Sequence, residues 1–408
     1  MKNNIIKESF WSFFGHAFSA IAVIAGIRVV TEYVTPIHYG QYIVFSGIAL
    51  LCFNIISGSL FQSFLRIIPE KNEDKAILLS SKLIFIFGGL AFSTLLTSFL
   101  FKSYTLFLFF IFFIYLISEH LVGLFKVLTN IKRDQKKYAF FQILVAAFKP
   151  LFAVLLYLYY DNDFTSILFG YLTGNLFVSF LFFGKNIFQD LTRSFEKKVH
   201  WNEFSEFFIY SKPLVLQKVF GWTINNADKY IVAFFLGTST AGQYAPIVSL
   251  VSMLYLTANE TINIIFRPYY FEYIAKNKKV AGEKVIKIYA LLLLVVSIAF
   301  ITIFTLFNQQ IVNFVLGENF RKYYYLLPMI SIGFTFLIGG YLFQTICLAH
   351  KKTWAVFRIE TIAAISNLIL LPIMIYNFGI NGIPFAILCT YIVHFLAGFI
   401  TTKQLRIK

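Results

Sequence analysis

Apolar residues fall in twelve runs of about twenty, and most of the lysine and arginine falls in every second gap between them. The runs are Phe10–Val30, Tyr42–Phe64, Ala76–Leu100, Thr105–Phe125, Tyr138–Tyr160, Thr165–Gly184, Ser211–Leu236, Gln243–Phe266, Ile288–Phe307, Tyr324–Leu348, Trp354–Tyr376 and Ile383–Thr402. A helix rising about 1.5 Å per residue needs about 20 apolar residues to cross roughly 30 Å of hydrocarbon, so each run predicts one transmembrane helix. With the N-terminus inside, the inner segments hold 25 of the 35 basic residues and the outer loops hold three, Lys102, Arg321 and Lys322. That asymmetry puts both termini in the cytoplasm, and a single missed helix would scramble it.

Composition adds little that the pattern lacks. The net charge of +16 is spread over the inner loops, where it meets anionic headgroups, so nucleic acid is not an expected partner. Cys52, Cys347 and Cys389 lie inside apolar runs without paired spacing and predict neither disulfides nor a metal site. The first run is longer than the 7–15 apolar residues of a cleaved signal and is read as an uncleaved helix.

The gaps narrow the function. Outer connections such as Asp161–Phe164, Gly237–Gly242 and Asn377–Gly382 are short, and the longest, Asn308–Tyr323, has 16 residues. No soluble outer domain fits. The largest inner gap, Lys185–Tyr210, places Phe188, Leu191 and Phe195 on one face of an expected amphipathic helix on the inner membrane surface.

The halves echo each other. Gly40-Gln41-Tyr42 recurs as Gly242-Gln243-Tyr244, and a cation precedes each copy (Arg28, Lys229). An arginine follows each copy (Arg66, Arg267), and Lys136-Lys137 with Phe140 has a counterpart in Lys351-Lys352 with Phe357. The expected fold is therefore an all-α integral membrane protein of 12 transmembrane helices. It forms two six-helix lobes, residues 1–200 with an amphipathic linker from about 186, and residues 201–408. A pseudo-two-fold along the membrane normal relates them, with a central cleft on the transport path.

Several of these stretches carry a family resemblance. Ser211-Lys212-Pro213-Leu214, Asn225-Asn226-Ala227-Asp228-Lys229-Tyr230 and Phe235-Leu236-Gly237 with Gly242-Gln243-Tyr244 resemble the seventh-helix signature of polysaccharide-type flippases. So do Arg267-Pro268-Tyr269-Tyr270, Tyr39-Gly40-Gln41-Tyr42 after Arg28 and Pro36, and Ser366-Asn367 with Gly379-Ile380-Asn381-Gly382. The resemblance covers nearly the whole chain in order. It implies a Wzx-type flippase of the multidrug/oligosaccharidyl-lipid/polysaccharide exporter superfamily, in a bacterial inner membrane. Such a protein moves a polyprenyl-pyrophosphate-linked glycan (O-antigen, capsule or exopolysaccharide) to the outer leaflet, among membrane lipids and alongside other polysaccharide assembly proteins. Lys229 stands where the family usually has arginine, which keeps the charge and loses the bidentate fork.

Charges inside the runs are the candidate machinery, because an ionisable group at bilayer depth costs roughly 2.5–3.5 kcal/mol unless a cavity or partner receives it. Lys149 is the deepest, beside Pro150, and either meets a diphosphate headgroup or pairs with a carboxylate elsewhere in the bundle. Lys218, Lys229 and Arg28 complete the expected substrate-binding cations. Asp228, Glu119, Glu260 and Glu360 are the expected ion-coupling or gating carboxylates, with sodium or a proton as coupling ion and no cofactor. His16 and His394 read as polar helix contacts. A lipid tail stays in the bilayer at roughly 0.8 kcal/mol per methylene, so only an anionic head needs a polar route. A cation-coupled multidrug antiporter would share the fold but favour carboxylates in its cavity, and a membrane glycan polymerase would need a larger outer loop. No nucleotide-binding loop or catalytic triad is present, so the chain does not read as an enzyme.

Overall fold

The computed structural model describes residues 2–67, 74–196 and 201–407, with side chains undescribed at several segment ends. Among the described residues every regular element is helical. In order these are α1 (Lys2–Tyr33), α2 (Pro36–Phe53), a π-helical turn (Asn54–Gly58), α3 (Ser59–Ile67), α4 (Asp74–Phe101), α5 (Tyr104–Ile131), α6 (Gln135–Tyr159) and α7 (Phe164–Glu196). They continue with α8 (Trp201–Leu236), α9 (Thr238–Ala275), α10 (Lys279–Leu306), α11 (Asn308–Val315), α12 (Leu327–Ala349), α13 (Thr353–Phe378) and α14 (Gly382–Ile407).

All twelve predicted runs fall on these helices, α2 and α3 sharing the second through the π turn. Ten stretches qualify as spans by length and apolarity alone. One of them, Thr353–Gln404 at 52 residues, joins α13 to most of α14. The remaining run, the seventh (Ser211–Leu236), lies on α8, whose charges and amides make it a more polar span. The protein is a multi-pass membrane protein.

The structure differs from the expected pattern in three places. The connection 308–323, expected as an open loop, contains α11, whose Val312 and Val315 are buried, so part of it is a packed amphipathic helix. Helix α9 runs through Pro268 to Ala275, nine residues past the predicted end, because a helix leaving the hydrocarbon keeps its internal hydrogen bonds in water. Helix α7 continues to Glu196 as one backbone helix, and the expected amphipathic face of Phe188, Leu191 and Phe195 lies outside the described side chains.

Tight connections make sequence neighbours antiparallel. Ser103 caps α5 by accepting from the Leu106 amide, and Asp134 caps α6 by accepting from that of Lys137. Gly237 alone separates α8 from α9, at φ +88°, in the left-handed region that a side chain would strain.

The chain forms two compact units. The first comprises residues 1–34 and 45–219, the second residues 35–44 and 220–408. They divide inside α8, whereas the repeat argument divides the chain near residue 200. In the first unit α6 packs against both α1 and α7, and α4 against α5. In the second, α14 packs against α12 and α13, while α9, α10 and α12 pack together.

The charge pattern makes a topological prediction. Cysteine placed at Asp163 or Thr238 should react with a membrane-impermeant maleimide from outside intact cells, and cysteine at Lys278 only after permeabilisation. The opposite sidedness would overturn the inside-terminus assignment.

Candidate functional site

In the first unit the deep lysine has a partner. Lys149 Nζ donates to Glu119 Oε1 at 2.7 Å, joining α6 to α5. Two close backbone approaches hold Lys149 in place. A Cβ at Gly174 on α7 would lie 2.9 Å from Lys149 Cα, and one at Gly26 on α1 would lie 2.5 Å from the Pro150 ring. Helix α6 is thus clamped on two sides, and its lysine reaches the third neighbour. Pro150 has no N–H, so the Ala146 carbonyl lacks its usual donor one turn earlier.

Asn175 on α7 donates to the same Glu119 oxygen at 2.8 Å and to Ser118 Oγ at 3.2 Å. The next residue, His120, is fully buried and meets Ser57 Oγ at 2.9 Å, inside the π turn. A π turn widens the helix by one residue and recurs at functional sites. Sequence reasoning missed Asn175, His120 and Ser57. A lone amide or histidine in an apolar run was the available signal. The ion pair keeps 19% and 15% side-chain exposure, so this polar centre is not sealed.

Of the other candidate cations, Arg28 pairs with Glu32 at 2.8 Å one turn along α1, and Lys218 is half-buried on α8. Lys229 belongs to the second unit, where its ammonium donates to Asn226 Oδ1 at 3.1 Å. Its neighbour Asp228 points elsewhere. Tyr244 Oη donates to Asp228 Oδ2 at 2.8 Å, while Asp228 Oδ1 is buried without a partner among the described residues. The adjacent pair therefore does not bridge itself.

The tyrosine that holds Asp228 belongs to the repeated tripeptide, whose two copies meet in space. A Cβ at Gly40 would lie 1.9 Å from the Thr238 carbonyl oxygen, and one at Gly242 would lie 1.9 Å from that of Pro36. The first turns of α2 and α9 cross backbone to backbone, glycine on glycine. Tyr230 Oη holds α2 one turn beyond Gly40 by donating to the Val44 carbonyl at 3.0 Å.

Glu360 and Glu260 lie in different surroundings. Glu360 on α13 is buried and accepts from Gln344 Nε2 on α12 at 3.4 Å. The same amide meets His394 Nε2 on α14 at 3.0 Å, so His394 is the polar helix contact expected of it. Glu260 instead lines a cavity of about 440 Å³ within the second unit, among α9, α10 and α12. Asn259, Asn263 and Arg267 share the wall at a spacing of four residues, one face of α9. This polar face was visible in the sequence and was not read as one.

The sequence profile described as polysaccharide biosynthesis protein matches residues 76–324. A capsular polysaccharide biosynthesis protein, CapF of Staphylococcus aureus, is 20% identical over 219 residues, 53% of this chain and 55% of that protein. A probable low-salt glycan biosynthesis flippase, Agl15 of Haloferax volcanii, is 27% identical over 222 residues, 51% of this chain and 45% of that protein. The chain thus aligns with about half the length of the curated relatives it matches. Among solved structures, the lipid II flippase MurJ in an inward closed conformation superposes with a TM-score of 0.70 at 15% identity, covering 98% of this chain and 87% of that one. An inward-facing multidrug transporter of the MOP superfamily superposes at 0.68 with 10% identity, covering 97% and 94%. These two likenesses establish the fold, which the flippase and drug-transporter branches share. The profile spans more than half of the chain, which therefore belongs to the polysaccharide biosynthesis protein family of multi-pass membrane proteins.

Proposed function

We propose that this protein is a flippase: it carries a polyprenyl-pyrophosphate-linked glycan from the cytoplasmic to the outer leaflet of a cytoplasmic membrane, by alternating access and without covalent chemistry. The observation that carries the reading is the Lys149–Glu119 pair, a partly exposed charge centre in the middle of a span, in a chain of the polysaccharide biosynthesis family. A lipid-linked glycan needs a polar route only for its head. In this conformation the Lys149 charge is balanced by Glu119. A diphosphate reaching the site competes with Glu119 for the ammonium, so binding and local rearrangement are coupled. With the cell interior negative, each anionic charge moving outwards gains about 2.3 kcal/mol per 100 mV. Arg28 and Lys218 in the first unit and Lys229 in the second are further candidate cations for the head, and other polysaccharide assembly proteins deliver and consume the glycan.

Asp228 is the proposed coupling site, for sodium or a proton. Its second oxygen is buried and unpaired among the described residues, which suits a group that takes up a cation during the cycle. In vesicles, one of the two gradients should speed lipid-linked glycan movement by the native protein, and neither should speed it in Asp228→Asn. A variant that responds like the native protein would remove Asp228 from the coupling path.

A drug-cation antiporter is the second reading. Glu119 neutralises the deep lysine, so a deep cation no longer argues against that class. Deleting the gene separates the two. Loss of glycan from the outer leaflet with unchanged drug sensitivity supports the flippase, and the reverse result supports the antiporter.

A further inference from the structure

The cavity in the second unit has the chemistry of a sugar site rather than of a charge relay. Its volume of about 440 Å³ falls in the range of small-molecule sites, roughly 300–1,000 Å³. On α9, Asn259, Glu260, Asn263 and Arg267 supply amides, a carboxylate and a guanidinium within two turns. Such a polar face inside a membrane span persists where it meets a cavity.

The individual groups are set for a ligand that both donates and accepts. Tyr289 Oη on α10 donates to Asn259 Oδ1 at 3.2 Å, which fixes that amide and leaves its nitrogen to donate. Asn263 Oδ1 is buried and has no partner among the described residues, so the wall carries an acceptor in need of a donor. Gln344, opposite on α12, is held by Glu360 and His394 and forms a fixed wall. Sugar hydroxyls each donate and accept, and they match this mixed set. A diphosphate only accepts and calls for several cations, whereas the lining has one guanidinium against one carboxylate. A lipophilic cation would be repelled by Arg267, while the rings of Tyr289 and Tyr341 beside Leu256 and Leu348 offer apolar surface for the C–H face of a sugar ring.

Position agrees with chemistry. The cavity is built from the second half of α9, the first half of α10 and the last turns of α12. That end carries the connections with Lys276, Lys278, Lys351 and Lys352, the cytoplasmic side by the charge rule. It is the side on which a glycan bound for the outer leaflet is loaded.

We propose that this cavity binds a neutral sugar ring of the lipid-linked glycan, with Asn263 and Glu260 as its principal hydrogen-bonding groups; the proposal rests on the flippase reading. Glu260 is thereby a substrate residue and not a coupling carboxylate.

The test uses the full chain in lipid nanodiscs with two probes: inorganic pyrophosphate, and the neutral oligosaccharide released by mild acid from the host's own lipid-linked glycan. The oligosaccharide should bind the native protein and lose affinity about tenfold in Asn263→Leu and in Glu260→Gln, while pyrophosphate binding stays unchanged in both. Glu260 is exposed, so Glu260→Gln carries the test if Asn263→Leu does not accumulate. Equal oligosaccharide binding by variant and native protein, or no binding by the native protein, overturns the proposal. Retention of outer-leaflet glycan in the gene deletion overturns the flippase reading instead.

Discussion

Lys149→Ala is expected to abolish outer-leaflet glycan display and to lower the amount of protein in the membrane. Two effects combine. The first is loss of the ammonium proposed to receive the headgroup. The second is the stranded Glu119 carboxylate, left with the Asn175 amide at 2.8 Å and no countercharge at 2.7 Å. Breaking a fully buried pair from one side costs about 3–5 kcal/mol. This pair is partly exposed, so the cost falls below that range and is still a noticeable share of the roughly 5–15 kcal/mol that holds a typical domain folded. A double variant separates the effects. Lys149→Ala with Glu119→Gln removes both charges, so the protein should accumulate at native levels and still fail to transport. Lys149→Arg should keep part of the activity, because a cation remains within reach of Glu119. The measurement is glycan on the outer leaflet normalised to membrane protein. If the double variant transports normally, the pair is a helix-packing device and the headgroup passes elsewhere.

The same pair shows what the sequence held and what it withheld. Lys149 was legible because a charge halfway along an apolar run has few places to go. Glu119 was legible too, but as a separate residue one turn or two from the cytoplasmic end of its run. Their contact spans 30 residues and two helices, and no periodicity links a side chain on α5 to one on α6. The helix rotations that bring them together are set by small-residue contacts, with Gly174 against Lys149 and Gly26 against Pro150. Those glycines look like any others in an apolar run. Spans were readable because the bilayer imposes a length rule on each segment independently. The polar centre depends on pairs of segments, as does the Gln344 bridge between Glu360 and His394. Helix α11 escaped for a different reason: its eight residues are too few to show a helical period against a polar background.

The repeated tripeptide was legible as a repeat, while its physical meaning required the structure, and it supports the second large expected effect. Gly242→Val should prevent stable folding of the second unit, with Gly40→Val close behind. Each Cβ would sit 1.9 Å from a carbonyl oxygen of the facing helix, and a backbone atom cannot rotate away as a side chain can. The crossing must open by more than an ångström. Overpacking of this kind costs about 1–3 kcal/mol. Tyr244 is fully buried two residues further on, so the shift also draws its hydroxyl from Asp228 Oδ2. Losing a hydrogen bond to a buried charged group adds about 1.5–3 kcal/mol. Asp228 Oδ1 already lacks a partner, so the carboxylate would be left with neither oxygen bonded. Gly89→Ala on α4 is the control, since a Cβ there meets nothing within 4 Å. Thermal unfolding in detergent, followed by loss of the monodisperse peak, should show Gly242→Val far below the native protein and Gly89→Ala level with it. Native-like melting of Gly242→Val would mean that the helices do not cross at this distance, and the link from the repeated glycine through Tyr244 to Asp228 would fall with it.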